Sequence, residues 1–303
     1  MRKFAFAATA AIAVLGLSAC TTASLEPSGG SATNGDTTEA FDVSTIDVNE
    51  EAAALVPADI AESGVLRVGM ETTYAPAEFL DVDGQTPIGY DVDLSNALAA
   101  ALGLEAEVTS ASFDSIIPGI GSKYDAGISA FTITPERLEV VDMIQYFTAG
   151  SALAVKEGNP NGVSVDDLCG TTIAVQVGTI QEIEAGDMSA QCETDGKEAI
   201  DVLAYDSNAD AATNVVGGKA DALFADSPVT GYAVSQADGQ LELLGEALDT
   251  APQGIATAKG SELTDAVALA LQGLMDDGTL ELILSGWGTE SGGLTTAEVN
   301  PAS

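Results

Sequence analysis

The sequence predicts an α/β protein of two lobes, and three observations carry that expectation. A 303-residue chain is about two domains long. Short apolar strands alternate with amphipathic helices instead of running in blocks. Two stretches, Ala149 to Lys156 and Asp249 to Gln253, fall where the chain can cross into a second lobe and return. The layout expected is a leader over 1–20, a disordered tether over 21–57, lobe 1 over 58–152 and 252–290, lobe 2 over 153–251, and a polar tail over 291–303.

The leader begins with basic Arg2 and Lys3, followed by an apolar run from Phe4 to Leu17 that is too short for a comfortable membrane span. It ends in Leu17-Ser18-Ala19-Cys20, which looks like a lipobox with Cys20 as the lipid-carrying residue; an ordinary secretory signal is the alternative. No other stretch approaches the roughly 20 apolar residues a spanning helix needs, so lipid would be the sole membrane attachment. From Thr21 to about Asn49 the chain is rich in Ser, Thr, Gly and Asp and lacks apolar periodicity, as a tether would.

Composition excludes much else. The chain has 9 Lys+Arg against 47 Asp+Glu, a net charge of −38 that repels nucleic acid and anionic lipid. Most of these carboxylates read as a solvated acidic surface. There is no histidine, which removes Cys-His and Ser-His-Asp catalysis and most zinc chemistry, so neither metal nor cofactor is expected. Cys169 and Cys192 belong to an exported chain and read as a disulfide.

Gly64 to Met70 is the first buried strand, and Glu71 to Pro76 a polar and aromatic loop at its carboxyl end, where α/β sheets collect ligands. Tyr74 either faces a ligand or packs the loop; Glu71 either reads a side chain or is one more surface acid. Asp81 to Gly84 is a turn without the later ligands of a calcium loop. Asp91 to Leu102 is a helix whose apolar face is Leu94, Ala97, Leu98, Ala101 and Leu102, stopped by Gly103. Glu105 to Thr109 is a strand, and Phe113 opens the next helix.

Ala126 to Ser129 is a short strand leading to Thr132. Ser129 and Thr132 offer hydroxyls and Ala130 backbone groups, a set suited to an ammonium and a carboxylate. Thr134 is a good helix N-cap and Pro135 fits the first helical position, which puts Arg137 third, where the dipole disfavours a cation. Either Arg137 and free amides hold an anion there, or Arg137 pairs with Glu136 or Glu139.

Thr172 to Gln176 is a strand, followed by Val177-Gly178-Thr179 and a helix from about Gln181. This is an ordinary βα turn or an anion cradle. Val202 to Tyr205 is a strand and Ala209 to Gly217 a helix. Ala220 to Pro228 holds a buried strand ending in Asp226, which is suited to an ammonium or to capping the next helix. Leu241 to Leu244 and Gly254 to Lys259 are strands, and Leu263, Val267, Ala270, Leu271 and Leu274 mark a helix. Leu280 to Trp287 closes the fold.

The stretch from Phe113 to Phe147, with Thr132-Ile133-Thr134-Pro135-Glu136-Arg137 at its centre, closely resembles the family 3 bacterial extracellular solute-binding proteins, amino-acid receptors of ABC importers. A second match is Gly89-Tyr90-Asp91-Val92-Asp93-Leu94, followed by Leu98 and Ala99. The resemblance runs from about Gly64 to Trp287. It implies a periplasmic-binding-protein-like (type II) fold, each lobe a mostly parallel sheet flanked by helices, with a two-segment hinge. By resemblance Tyr74 and Phe113 are aromatic walls, Glu71 a side-chain reader, and Gly178 and Thr179 hold the ligand carboxylate opposite Arg137. Asp226 would take the ammonium; Ala130 lacks the small polar side chain many relatives have there. The implied protein is a monomeric, lipid-anchored, extracytoplasmic receptor for an amino acid, polar or basic, that closes about a hinge and delivers it to permease subunits. An enzyme on the same fold (a dehydratase or lytic glycosidase, with Glu71 as acid) and an extracellular amino-acid sensor are the alternatives.

Overall fold

The computed structural model describes residues 40–301. The leader, Cys20 and the first part of the tether lie outside the described residues. Residues 40–57 depart from expectation: they fold onto lobe 1. After a 3-10 turn at Val43–Thr45 comes helix α1 (Glu50–Ala53), capped by Asn49, whose side chain accepts from the Ala52 amide at 3.1 Å. Ala52 and Val56 are buried, and Phe41, Val43 and Ile46 pack against the same core. Their irregular spacing fits neither helix nor strand period, so the segment looks structureless in sequence.

Helix α2 (Ala58–Ser63) leads into β1 (Val65–Met70), whose Leu66, Val68 and Met70 are fully buried. A small antiparallel sheet follows: β2 (Thr73–Tyr74), β3 (Glu78–Leu80) and β4 (Pro87–Ile88). Helix α3 (Tyr90–Ala101) buries the apolar face its spacing predicts, and the chain leaves it at Gly103 in the left-handed region. Strand β5 (Glu105–Ser110), α4 (Phe113–Gly119), β6 (Ala126–Gly127) and α5 (Pro135–Val140) complete the first pass through lobe 1.

Two long strands then join the lobes. β7 (Val141–Lys156) and β11 (Leu241–Ala258) pair antiparallel along their lengths, with register shifts near Leu244 to Thr250 and at Gln253. Between them in sequence lie β8 (Thr172–Gln176), α6 (Ile180–Thr194), β9 (Asp201–Tyr205), α7 (Asn208–Val216), β10 (Ala222–Asp226) and α8 (Ser227–Gln236). The strand order is β5-β1-β6-β11-β7-β10-β8-β9. The β5-β1-β6 side and the β10-β8-β9 side are each parallel within themselves and are linked through the antiparallel pair. Where the sequence suggests separate strands at 241–244 and 254–259, one bulged strand runs through. β10 takes up pairing with β7 from Ser151. Just before it, a Cβ on Gly150 would collide with the Leu248 carbonyl, so this crossing requires glycine.

Separate cores serve the two sides. Leu66, Leu98, Val267, Leu271 and Ile283 belong to one; Val155, Ile173, Val175 and Phe224 to another. Helices α9 (Glu262–Asp276) and α10 (Thr279–Gly286) return to the first. The expected polar tail also packs: the Leu294 amide donates to the Tyr146 carbonyl, and Asn300 bonds Asp142 and the Met143 amide. Its backbone pairing gives no compositional signal. Cys169 and Cys192 form a disulfide that ties the turn before β8 to the end of α6. Among the described residues no helix is long and apolar enough to cross a membrane.

Candidate ligand site

Arg137 reaches its place through the helix start that the sequence announces. Thr134 caps α5 by accepting from the Arg137 amide at 3.3 Å, and Pro135 occupies the first turn. The guanidinium donates from Nη1 to the Thr132 carbonyl (2.7 Å) and from Nη2 across the cleft to the Gly178 carbonyl (3.0 Å). Phe113 and Phe131 stack 4.7 Å apart, and the guanidinium carbon lies 5.5 Å from each ring centroid. Among the described residues the ion pairs are Arg67–Asp125, Lys197–Asp167 and Lys259–Asp142, so Arg137 does not pair with Glu136 or Glu139. Burial draws its pKa down to about 10, only partly opposed by the charge on Asp226.

Asp226 ends β10 and is buried. Its oxygens accept from the Gln181 and Gln253 amides, each at 2.8 Å, and its side chain makes no capping bond to α8, so the structural alternative for this residue is unused. Its backbone amide donates to the Tyr74 hydroxyl of the opposite lobe at 3.1 Å. Burial pushes the carboxyl up to about 6 against the stabilising amide bonds.

These groups enclose one cavity of about 10 Å³ between the lobes. Tyr74, Phe113, Ala130 and Thr132 line it from one side; Thr179 and Asp226 line it from the other, with Ile180 and Gln181 added. The space is on the order of one water, so a larger solute enters only when the lobes part.

The remaining predicted residues sit otherwise. Ser129 is fully buried outside the cavity wall; its hydroxyl accepts from the Glu71 amide (3.0 Å) and donates to Glu78 (2.6 Å). Glu71 also lies outside the wall, accepting from the Thr73 hydroxyl at 3.0 Å, and burial raises its pKa. Gly178 offers its carbonyl to Arg137, while its amide donates to Glu182 at 2.7 Å and is therefore not a free anion donor. Thr179 caps α6 and donates to the Gln176 carbonyl at 2.7 Å.

The Gly89-Tyr90-Asp91 motif positions the wall from behind. Gly89 has φ +132 and approaches the Ala77 carbonyl too closely for any side chain. Buried Asp91 accepts from the Tyr146 hydroxyl (2.6 Å) and from the Ala130 amide (2.9 Å), holding Ala130 at φ +46, in the left-handed region. Sequence reading missed Gln181 and Gln253, the partners of Asp226. An uncharged amide in a helix start or a crossover segment carries no signal of its own.

Comparison with known proteins then decides the family. Residues 66–290 match the profile of the bacterial extracellular solute-binding proteins, family 3. The chain belongs to that family. It is 39% identical over 252 residues to the arginine-binding protein ArgT of Corynebacterium glutamicum, covering 82% of this chain and 83% of ArgT. It is 32% identical to the arginine-binding extracellular protein ArtP of Bacillus subtilis, over 76% of this chain and 89% of ArtP. Its fold is similar to that of an ancestral arginine-binding protein bound to arginine, with TM-score 0.69 and 35% identity, over 74% of this chain and 98% of that one.

Proposed function

We propose that this family 3 protein is the extracytoplasmic receptor of an amino-acid ABC importer, binding a basic amino acid between its lobes. One observation carries the reading. A buried cation and a buried anion, Arg137 and Asp226, line the same interlobe cavity, yet among the described residues neither has a charged partner within ion-pair distance. Each is held by neutral groups and pulled by burial toward its uncharged form. A zwitterion bridging them supplies both missing charges at once: its carboxylate to Arg137 and its ammonium to Asp226. Arginine as ligand of ArgT, ArtP and the ancestral neighbour supports the basic class.

The reading is of a binding protein, with no cofactor and no catalytic step. Glu71, the acid an enzyme would use, lies outside the cavity wall and is bonded to Thr73. The working unit is a monomer, anchored by lipid on Cys20 and presented closed to the permease. Calorimetric titration with the twenty amino acids tests the ligand class: saturable binding of arginine or lysine, without product, is expected. Tight binding confined to leucine or phenylalanine contradicts it. Arg137→Ala is expected to weaken binding by roughly 3–5 kcal/mol, because it leaves a carboxylate buried and unpaired. Metabolic labelling with a fatty acid, lost on Cys20→Ala, tests the anchor.

A further inference from the structure

Behind the cavity wall, two carboxyl groups grip consecutive residues. The Ser129 hydroxyl donates to Glu78 Oε1 at 2.6 Å, and the Ala130 amide donates to Asp91 Oδ2 at 2.9 Å. Ala130 lines the interlobe cavity, and Ser129 is the residue before it. The backbone brings the two acids to adjoining positions. The Asp91 amide donates to the Ala77 carbonyl at 2.9 Å, and a Cβ on Gly89 would collide with that carbonyl and with the Glu78 Cα. Both acids are 0% exposed, and among the described residues neither lies within ion-pair distance of a cation. Two buried carboxyls placed so do not both ionise.

Their hydrogen bonds show which one keeps a proton. Asp91 accepts on both oxygens, from the Tyr146 hydroxyl at Oδ1 (2.6 Å) and, at Oδ2, from a backbone amide that can only donate. Glu78 accepts on Oε1 alone, and its Oε2 is buried with no partner among the described residues. An ionised oxygen left so loses its hydration without replacement, whereas a protonated one is a donor beside the Asp91 carboxylate. The surroundings push the same way. Burial, then the charge on Asp91, raises the Glu78 carboxyl well above its ordinary value, and the Ser129 bond only partly offsets them. Asp91 rises only to about 6, because the Tyr146 and Ala130 bonds oppose its burial. Around the pair stand Glu71 just after β1, Tyr74 on β2, Tyr90 on α3 and Tyr146 on β7, with Asp226 acting from β10. Burial raises all three tyrosines, which stay neutral, and the other two acids add only negative charge.

We propose that Glu78 is a positioning residue of the ligand wall that works as a neutral acid, holding Ser129 while its proton lets Asp91, as a carboxylate, hold Ala130. The part this plays in binding rests on the receptor reading above; the proton itself does not.

Infrared difference spectroscopy of wild type against Glu78→Gln at neutral pH tests the proton. A protonated-carboxyl C=O band that wild type has and the variant lacks is expected; no difference at that band overturns the proposal. Urea unfolding from about pH 5 to about pH 8 gives an independent reading. The folded chain keeps here a proton that the unfolded chain has released above about 4.5, so this group's contribution to stability falls as pH rises. The wild-type unfolding constant should therefore climb faster than that of Glu78→Gln, by up to about tenfold per pH unit, and parallel profiles overturn the proposal. Calorimetric titration with arginine tests the positioning. Glu78→Leu is expected to weaken binding by about tenfold or more. Glu78→Gln, which keeps a carbonyl for Ser129 and a donor for Asp91, is expected to restore it. Undiminished affinity in Glu78→Leu, or equal loss in both variants, overturns the positioning role. A wild-type protein that binds no amino acid overturns the receptor reading instead, and the infrared and unfolding results still decide the proton.

Discussion

Burial acts on the guanidinium of Arg137 and the carboxylate of Asp226 in opposite directions, drawing the first down to about 10 and pushing the second up to about 6. For Asp226 the sign has two consequences. Its folded pKa lies above the ordinary 3.8, so the ligand-free folded chain holds a proton that the unfolded chain has released, and this carboxyl's contribution to stability falls as pH rises from about 4 to about 6. Ligand binding has the opposite slope, because an ammonium needs the ionised form. Affinity is expected to be flat above pH 7 and to fall about tenfold per unit below about 6. Titrations across pH 5 to 8 check this, and Asp226→Asn should bind weakly with the slope removed. Asp91 titrates in the same range but faces Tyr146 and the Ala130 amide, so a slope surviving in Asp226→Asn would assign the effect to it. Legibility at this scale followed charge. Arg137 stands out because a cation in a helix's first turn conflicts with the dipole, and Asp226 because a carboxylate ends an apolar strand. Gln181 and Gln253 hold the Asp226 carboxylate and announce nothing. Ser129 reads as a hydroxyl on offer to a ligand, and the structure commits it to Glu71 and Glu78.

Helices and strands were legible wherever one face had to be apolar. α3 buries the residues its spacing selects, and β8, β9 and β10 lie within a residue or two of where the sequence places them. The elements that escaped are those formed by pairing or by a few scattered contacts. β11 reads as two strands because exposed and acidic residues fill the hinge between Leu244 and Thr250, and only its partner β7 makes it continuous. The 40–57 segment and the 291–301 segment are held by isolated apolar side chains and by backbone bonds to lobe 1. A chain beginning at residue 40 should therefore keep the melting temperature of the mature protein, while one beginning at 58 should melt several degrees lower, since Ala52 and Val56 leave empty volume in the core. Equal melting temperatures would show those contacts to be idle. The disulfide closes a loop between positions 23 apart in lobe 2. Replacing both cysteines by serine should cost about 3 kcal/mol in urea unfolding and leave ligand affinity unchanged.

At the scale of the whole molecule, a net charge of −38 belongs to a chain that, in the reading proposed above, takes a cation-bearing solute. Like charges repel across so acidic a surface, so melting temperature should rise as salt increases from about 0.01 to about 1 M. The same field steers a cationic amino acid inward, and its association rate should fall over that range. Two lobes, a pair of long strands joining them and contacts that cross the cleft from Arg137 to Gly178 and from Asp226 to Tyr74 are what the proposed closure on a solute requires. That closure is useful only if Arg137 and Asp226 meet the two ends of one zwitterion. The most direct measurement is a calorimetric comparison of arginine with agmatine, its analogue lacking the carboxylate, in wild type and in Arg137→Ala. Wild type should favour arginine by a hundredfold or more, on the order of 3 kcal/mol, and the variant should lose that preference. An arginine preference that survives unchanged without Arg137 would contradict the account.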